Sequence, residues 1–197
     1  MKTIGFMIST KENEKRRALL PNQVALIKNR DYLYFQEGYG EVLGHCDEEY
    51  KKAGAHIVTR DEIFNKDIIC DPKIGDAEYL LELKPGKTIF GWIHAVQNKS
   101  ITDKILDRKL TAIAWEDMYD RGRHVFWRNN ELAGEAAILH AFTLYGRLPY
   151  ECNVALLGRG NVARGAYKTL TSLGAKITVY DRKTEKILRK EIGEYDV

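Results

Sequence analysis

Short apolar segments alternate with longer polar stretches along most of the chain. The apolar segments have the length and composition of strands and cover residues 3–8, 32–35, 56–58, 67–70, 88–91 and 111–114. Helix-start signals lie between them. One predicted helix opens at Pro21, a second is capped by Asp47, and others begin at the N-caps Thr59, Asp76 and Thr102. This alternation predicts an α/β fold, a parallel sheet with helices on both faces.

A longer helical segment follows at residues 131–145. It contains small residues at Ala133, Gly134, Ala136 and Ala137, which would allow close packing against a neighbouring element. We therefore predict that this helix joins the first domain to a second one.

The stretch from residue 154 to residue 181 predicts an apolar strand, a glycine loop, a helix over 162–173 and a second strand that ends at an acid. The loop has glycine, glycine and alanine in the pattern G-x-G-x-x-A. Gly158 would allow a sharp turn, Gly160 would let a pyrophosphate approach the backbone, and Ala163 would keep the helix close to the strand. Asn161 and Val162 complete the loop, where free N–H groups at the helix start favour a phosphate.

Asp181 lies 23 positions after Gly158, at the spacing typical of an acid that binds a ribose hydroxyl. The unit is thus predicted to open a Rossmann dinucleotide-binding domain. We predict a substrate-side α/β domain at residues 1–130, followed at 131–197 by the linking helix and a partial Rossmann domain. Only two of the six strands of such a domain are recognisable, so we expect its C-terminal part to be absent.

Composition agrees with an intracellular enzyme. The chain has 197 residues, 44% of them hydrophobic, and a net charge of +3, which favours neither nucleic acid nor a membrane as a partner. Three scattered cysteines without a CxxC motif predict reduced thiols and no metal site. We expect a cytoplasmic location, small-molecule substrates and a homo-oligomer.

Three loops of the first domain carry residues suited to the chemistry of a keto acid. Arg16 and Arg17 follow the first strand, and a guanidinium binds a carboxylate well, although a solvated charge run would have the same composition. Lys73 follows the strand at 67–70 and by itself indicates little. His94 lies just beyond the C-terminal end of the strand at 88–91, where an imidazole could transfer a proton or have a purely structural role.

Together these loops resemble the alanine dehydrogenase family. Arg16-Arg-Ala-Leu-Leu-Pro21, with Glu14 before it, is similar to that family's E-x-R-x-A-L-x-P loop. Asp71-Pro-Lys73 falls where the family has its substrate-site lysine. Phe90-Gly-Trp-Ile-His94 looks like its aromatic strand ending in histidine, and Glu131-Leu-Ala-Gly134 looks like the start of its linking helix, with Asn130 in place of serine.

Within this superfamily, which also includes the transhydrogenase nucleotide subunit and lysine-forming saccharopine dehydrogenase, three segments look most like the opine-type N5-(carboxyethyl)ornithine synthases. They are Arg16 to Pro21, Cys70 to Lys73 and Arg123 to Asn130. The resemblance implies that pyruvate and the side-chain amine of ornithine form an imine, which a nicotinamide hydride reduces. It implies that Arg16, with Arg17 as a second contact, holds the keto-acid carboxylate. Lys73 would lie near the carbonyl oxygen or carboxylate, and His94 would move a proton.

Cofactor choice rests on the end of the second Rossmann strand. Asp181 favours NADH, because a carboxylate repels a 2′-phosphate, whereas Arg182 and the opine-type resemblance favour NADPH. We expect NADPH, with NADH as the alternative. Two other functions stay open: reductive amination of pyruvate by ammonia, as in alanine dehydrogenase, and a truncated, non-catalytic module of the same fold.

Overall fold

The computed structural model describes residues 1–197, which divide into two compact units at residues 1–118 and 119–197. The predicted division near residue 130 falls inside a helix of the second unit. No helix in either unit combines the length and apolar character that a membrane crossing requires.

The first unit is built on a six-stranded parallel sheet, which confirms the predicted fold class. Its strands are β1 (Ile4–Phe6), β2 (Leu33–Gln36), β3 (His56–Val58), β4 (Ile68–Cys70), β5 (Thr88–Gly91) and β6 (Thr111–Ala114). They lie in the order β3-β2-β1-β4-β5-β6. Strands β2 and β3 are therefore added on one side of β1, and β4, β5 and β6 are added on the other side, as in doubly wound folds.

The register places apolar side chains of neighbouring strands side by side. Phe6 is paired with Phe35 on one side and Cys70 on the other, and the rings of Phe6 and Phe35 stack with centroids 4.4 Å apart. Ile69 and Ile89 pair across β4 and β5, and both are fully buried. Buried parallel strands are held by this apolar packing on their faces.

Four helices belong to this unit: α1 (Pro21–Val24), α2 (Asp47–Lys52), α3 (Arg60–Ile63) and α4 (Lys99–Asp107). Pro21 is the first residue of α1, and the Thr59 hydroxyl accepts from the Glu62 N–H to cap α3, so both predicted starts are confirmed. Asp47 is the first helical residue of α2 rather than its cap, because its carboxylate instead accepts from the Gly38 N–H.

Two further predicted N-caps are wrong. Asn98 caps α4 through its side-chain oxygen, and Thr102 lies inside the helix, where its hydroxyl donates to the Ala95 carbonyl. Asp76 starts no α-helix. It ends a 3-10 turn at Ile74–Asp76, and a second 3-10 turn follows at Glu78–Leu81. Both turns are too short to show the apolar period of an α-helix.

The second unit begins with a hairpin of β7 (Tyr119–Asp120) and β8 (Arg123–His124). It continues with α5 (Trp127–Tyr145), β9 (Asn153–Leu157), α6 (Asn161–Ser172), β10 (Lys176–Tyr180) and α7 (Glu185–Glu191). Strands β9 and β10 are parallel, as the predicted βαβ unit requires. Helix α5 starts four residues before the predicted Glu131. Beyond α7 the chain returns to the free edge of β9, where the Ala155 N–H donates to the Val197 carbonyl.

Helices α5 and α6 cross at two glycines, so their backbones come into direct contact. A Cβ added to Gly134 would lie 1.9 Å from the Val162 carbonyl oxygen, and one added to Gly165 would lie 1.9 Å from that of Glu131. Ion pairs flank the crossing: the Glu131 carboxylate pairs with Arg128 of its own helix and Arg164 of α6. Gly134, one of the small residues predicted to allow close packing of α5, is therefore required for this contact.

This crossing predicts that Gly165→Ala destabilises the second unit. The new Cβ must push the two backbones apart, which costs about 1–3 kcal/mol, more than the roughly 1 kcal/mol that alanine gains as a helix former. Urea unfolding followed by circular dichroism measures the change. Gly193→Ala is the matched control, because a Cβ at Gly193 meets nothing within 4 Å. Equal stability of the two variants would contradict the account.

Candidate functional site

The sequence-predicted residues of the first unit lie on the loops that follow three neighbouring strands. Arg16 follows β1, Lys73 follows β4 and His94 follows β5. The strand order reverses between β1 and β4. Open α/β sheets bind ligands at such a point, in the crevice outside the carboxyl ends of the strands. The topology thus brings the three loops to the same edge of the sheet.

In the loop after β1, the carboxylate of Glu14 holds the Arg16 side chain. The Glu14 Oε1 atom accepts from the Arg16 Nε at 2.9 Å and from the Arg16 backbone N–H at 2.8 Å. The Glu14 side chain is only 7% exposed, whereas that of Arg16 is 45% exposed. Burial opposes ionisation of Glu14, but the hydrogen bonds and charge of Arg16, together with the charge of Lys73, lower its pKa below the ordinary value.

The Arg17 side chain donates its hydrogen bonds to backbone carbonyl groups of the protein. Its Nε donates to the Tyr39 carbonyl, and its guanidinium carbon lies 5.3 Å from the centre of the Tyr39 ring. The Tyr39 hydroxyl in turn accepts from the Ala18 N–H at 2.8 Å. This buried tyrosine therefore fixes the second half of the loop. Tyr39 was not predicted as a site residue, because the sequence carries no signal there beyond an aromatic residue next to glycines.

A buried aspartate shapes the loop after β4. Asp71 Oδ1 accepts from the Lys73 backbone N–H at 2.8 Å, and Oδ2 accepts from the Tyr79 hydroxyl at 2.7 Å. Burial raises the pKa of Asp71, and these hydrogen bonds oppose the rise. The side chain of Lys73 forms no salt bridge, so its charge is available at the loop. An aspartate whose side chain accepts a hydrogen bond from the backbone N–H two residues later is a recognisable turn signal.

The loop after β5 holds His94 in an unusual conformation. His94 has φ of 57°, in the left-handed region that residues other than glycine rarely adopt. The Glu116 carboxylate accepts from the backbone N–H groups of both Ile93 and His94. The His94 Nδ1 atom lies 3.2 Å from the Gln97 side-chain oxygen, and the imidazole is parallel to the Trp92 ring with centroids 6.1 Å apart. Glu116 was not predicted as a site residue.

Backbone hydrogen bonds join the loops that carry Lys73 and His94. The Asp71 N–H donates to the Phe90 carbonyl, the Trp92 N–H to the Pro72 carbonyl and the Gly75 N–H to the Trp92 carbonyl, at 3.1–3.3 Å. Two glycines permit this approach. A Cβ on Gly75 would lie 2.0 Å from the Ile93 carbonyl oxygen, and one on Gly91 would lie 2.0 Å from that of Asp71.

The second unit contains the predicted glycine loop. Gly158 follows β9 with φ of 101°, and Gly160 is the N-cap of α6, whose first turn contains Asn161, Val162 and Ala163. A Cβ built on either glycine would meet nothing within 4 Å, so the space over the loop is open. A cavity of about 380 Å³ lies beside it and is lined partly by Gly158 and Ala163. An open glycine backbone at the start of a helix fits the pyrophosphate of a dinucleotide.

Asp181 is the residue directly after β10, and its carboxylate is already engaged. Oδ2 accepts from the Arg159 Nε at 2.9 Å, and Oδ1 accepts from the Lys183 N–H at 2.9 Å and the Thr184 N–H at 3.3 Å. The hydrogen bond from Arg159 and those from the backbone lower the pKa of Asp181. A second cavity, of about 510 Å³, is lined by residues that include Arg159, Asp181 and Arg182. Arg159 was missed, although its place between the two glycines was visible in the sequence.

No cluster of three or more His, Cys, Asp or Glu side chains in residues 1–197 could hold a metal ion. The donors that converge in each unit are cationic or backbone groups, which suit anions. The first unit offers Arg16 and Lys73, and the second offers the glycine loop and Arg159. This is the chemistry expected for a carboxylate substrate and a phosphate-bearing cofactor.

Comparisons with known proteins agree with this chemistry. A family model described as the alanine dehydrogenase/PNT N-terminal domain matches residues 8–127. The N(5)-(carboxyethyl)ornithine synthases of Clostridium botulinum and Lactococcus lactis are 32% and 30% identical to the chain over 98% of its length. The chain spans 66% of the length of each of these relatives. A solved L-alanine dehydrogenase has the same fold, with a TM-score of 0.72 and 19% identity over 96% of this chain and 58% of that one.

The Glu14–Arg16 pair predicts a pH-dependent contribution to stability. The pKa of Glu14 in the folded chain lies below its ordinary value, so its ionised form stabilises the fold above the ordinary pKa and the contribution is lost as the pH falls through the folded pKa. Glu14→Gln should therefore lower the free energy of unfolding near neutral pH, by less than about 1 kcal/mol because Arg16 is partly solvated.

Urea unfolding of both proteins near neutral pH and in acid measures the difference. Glu12→Gln, which removes an exposed charge from the same loop, is the control. A difference between Glu14→Gln and the parent chain that stays constant into acid would refute the assigned role of the carboxylate.

Proposed function

Because the chain belongs to the alanine dehydrogenase/PNT N-terminal domain family, we propose that it serves in an NADPH-dependent oxidoreductase that joins pyruvate to the side-chain amine of ornithine. The product would be N5-(carboxyethyl)ornithine. The observation that carries the proposal is the placement of Arg16, Lys73 and His94 on the loops after three neighbouring strands. The names of the two relatives from Clostridium botulinum and Lactococcus lactis support the opine-type product.

Arg16 is proposed to bind the carboxylate of pyruvate through its guanidinium. Its Nε and one terminal nitrogen donate to the Glu14 carboxylate, which fixes the plane of the group, and the side chain is 45% exposed at the loop surface. Arg17 is proposed as a second contact, although its Nε bond to the Tyr39 carbonyl gives it a structural role as well. Lys73 would place positive charge near the carbonyl oxygen, where negative charge develops as the amine attacks.

His94 is proposed to transfer protons during imine formation. The amine adds to the carbonyl carbon to give a carbinolamine, which loses water to become an imine, and both steps move protons that an imidazole can accept and return. Glu116 would act as a positioning residue, because its carboxylate accepts from the backbone N–H of His94. The imine then takes up a hydride and a proton to become the secondary amine.

A bound nicotinamide cofactor would supply that hydride. Gly158, Gly160, Asn161, Val162 and Ala163 are proposed to hold its pyrophosphate by backbone N–H groups. Asp181 and Arg182 would lie at the ribose end. NADPH is the proposed form, since positive charge accompanies the acid at this end of the site, and NADH is the alternative.

A second candidate is reductive amination of pyruvate by ammonia. The family model, whose description names alanine dehydrogenase, favours it. The same three residues would bind and protonate the same keto acid, so the two functions differ only in the amine. A non-catalytic module that binds the keto acid is the remaining possibility.

Cofactor oxidation by the purified chain separates these functions. The absorbance of NADPH is followed with pyruvate plus ornithine, with pyruvate plus ammonia, and with NADH in place of NADPH. Ornithine-dependent oxidation is the expected result. Ammonia-dependent oxidation would move the assignment to the alanine dehydrogenase type, and no oxidation by a folded chain would contradict a catalytic role.

His94→Asn should reduce kcat by about 10²–10⁴-fold, the usual contribution of a general acid or base. Asparagine tolerates the left-handed backbone of this position, so the loop conformation is expected to survive the change. His140→Asn, at an exposed site on α5, is the control and should retain activity. Full activity of His94→Asn would remove His94 from the proposed chemistry.

A further inference from the structure

Arg159 and Asp181 form an ion pair at the end of the Rossmann strands. Arg159 lies between the two glycines of the loop, and its Nε donates to Asp181 Oδ2 at 2.9 Å. The Arg159 side chain is 66% exposed and that of Asp181 is 29% exposed. Both residues line the cavity of about 510 Å³, together with Gly158. The pair therefore occupies the place where an acid commonly meets the adenosine ribose.

Asp181 has little acceptor capacity left for ribose hydroxyls. One oxygen accepts from Arg159, and the other accepts from the backbone N–H groups of Lys183 and Thr184. The arginine also compensates its charge. An acid at this position usually excludes a 2′-phosphate because the two negative charges repel each other. In this chain Arg159 compensates the charge of the Asp181 carboxylate, so that repulsion is reduced.

Arg159 retains donors for a ligand. Only its Nε is used by Asp181, and a guanidinium carries further N–H groups in a planar fork that matches phosphate oxygens. The pair also reduces the freedom of the side chain before a ligand arrives. Arg182, by comparison, is exposed, and no salt bridge or hydrogen bond fixes its side chain, so binding through Arg182 would have to order it first.

We propose that Arg159, held by Asp181, selects a dinucleotide whose adenosine ribose carries a 2′-phosphate. The inference rests on the proposed cofactor function and deepens it by assigning selection to Arg159 instead of Arg182. Asp181 becomes the residue that positions the arginine, and Arg159 becomes the residue that contacts the phosphate.

Isothermal titration calorimetry with two adenosine bisphosphates tests this without any turnover. Adenosine 2′,5′-bisphosphate and adenosine 3′,5′-bisphosphate have the same charge and differ only in the position of one phosphate. Nonspecific attraction to basic residues therefore contributes equally to both affinities. The parent chain should bind the 2′,5′ compound about tenfold more tightly or better, as a charge-assisted contact predicts.

Arg159→Ala should lower affinity for the 2′,5′ compound by about tenfold while changing affinity for the 3′,5′ compound by less than about threefold. Arg189→Ala, which removes an exposed arginine that is ion-paired to Glu185 in the same unit, is the matched control and should keep the preference. Arg182→Ala tests the alternative contact. Circular dichroism would verify that the variants fold, which the exposure of these side chains favours.

Equal affinities in the parent chain, or an unchanged preference in Arg159→Ala, would overturn the inference and leave the dinucleotide site intact. Loss of the preference in Arg182→Ala alone would assign selection to Arg182 and overturn it as well. Failure of the parent chain to bind either compound would contradict the proposed cofactor site itself.

Discussion

The candidate substrate site depends on the close backbone contact between the loops after β4 and β5. Gly75 and Gly91 each lie where a Cβ would be 2.0 Å from a carbonyl oxygen of the other loop. No other residue type fits such a position without moving one of the backbones. The contact fixes Lys73 and His94 on adjacent loops, while the buried Asp71 and the Glu116 carboxylate determine how each loop leaves its strand.

Both units use a carboxylate to hold an arginine on a loop that follows a parallel strand. Glu14 holds Arg16 after β1, and Asp181 holds Arg159 after β9, each through an Nε hydrogen bond of 2.9 Å. An arginine that is ordered before its ligand arrives loses less freedom on binding, which favours affinity. Arg159 donates to Asp181 through its Nε alone, so part of its guanidinium fork remains for a ligand. The same device thus suits a keto-acid carboxylate in one unit and a phosphate in the other.

Apolar patterning was sufficient to predict the six strands of the first sheet and the βαβ unit of the second, because buried parallel strands and glycine loops leave strong local signals. The start of α4 was misplaced because Asn98 and Thr102 are both good caps, and only the tertiary fold decides between them. Glu116 and Arg159 could not be assigned, since their partners His94 and Asp181 lie 22 residues away in the chain and become neighbours only on folding.

The central claim is that a keto acid binds at the carboxyl ends of β1, β4 and β5. Titration of pyruvate into the isotope-labelled chain, followed by the chemical shifts of assigned backbone amides, tests it directly. The account predicts saturable shifts confined to the loops that contain Arg16, Lys73 and His94, and their loss in Arg16→Ala. Shifts confined to residues 119–197, or none at pyruvate concentrations that saturate related enzymes, would contradict it.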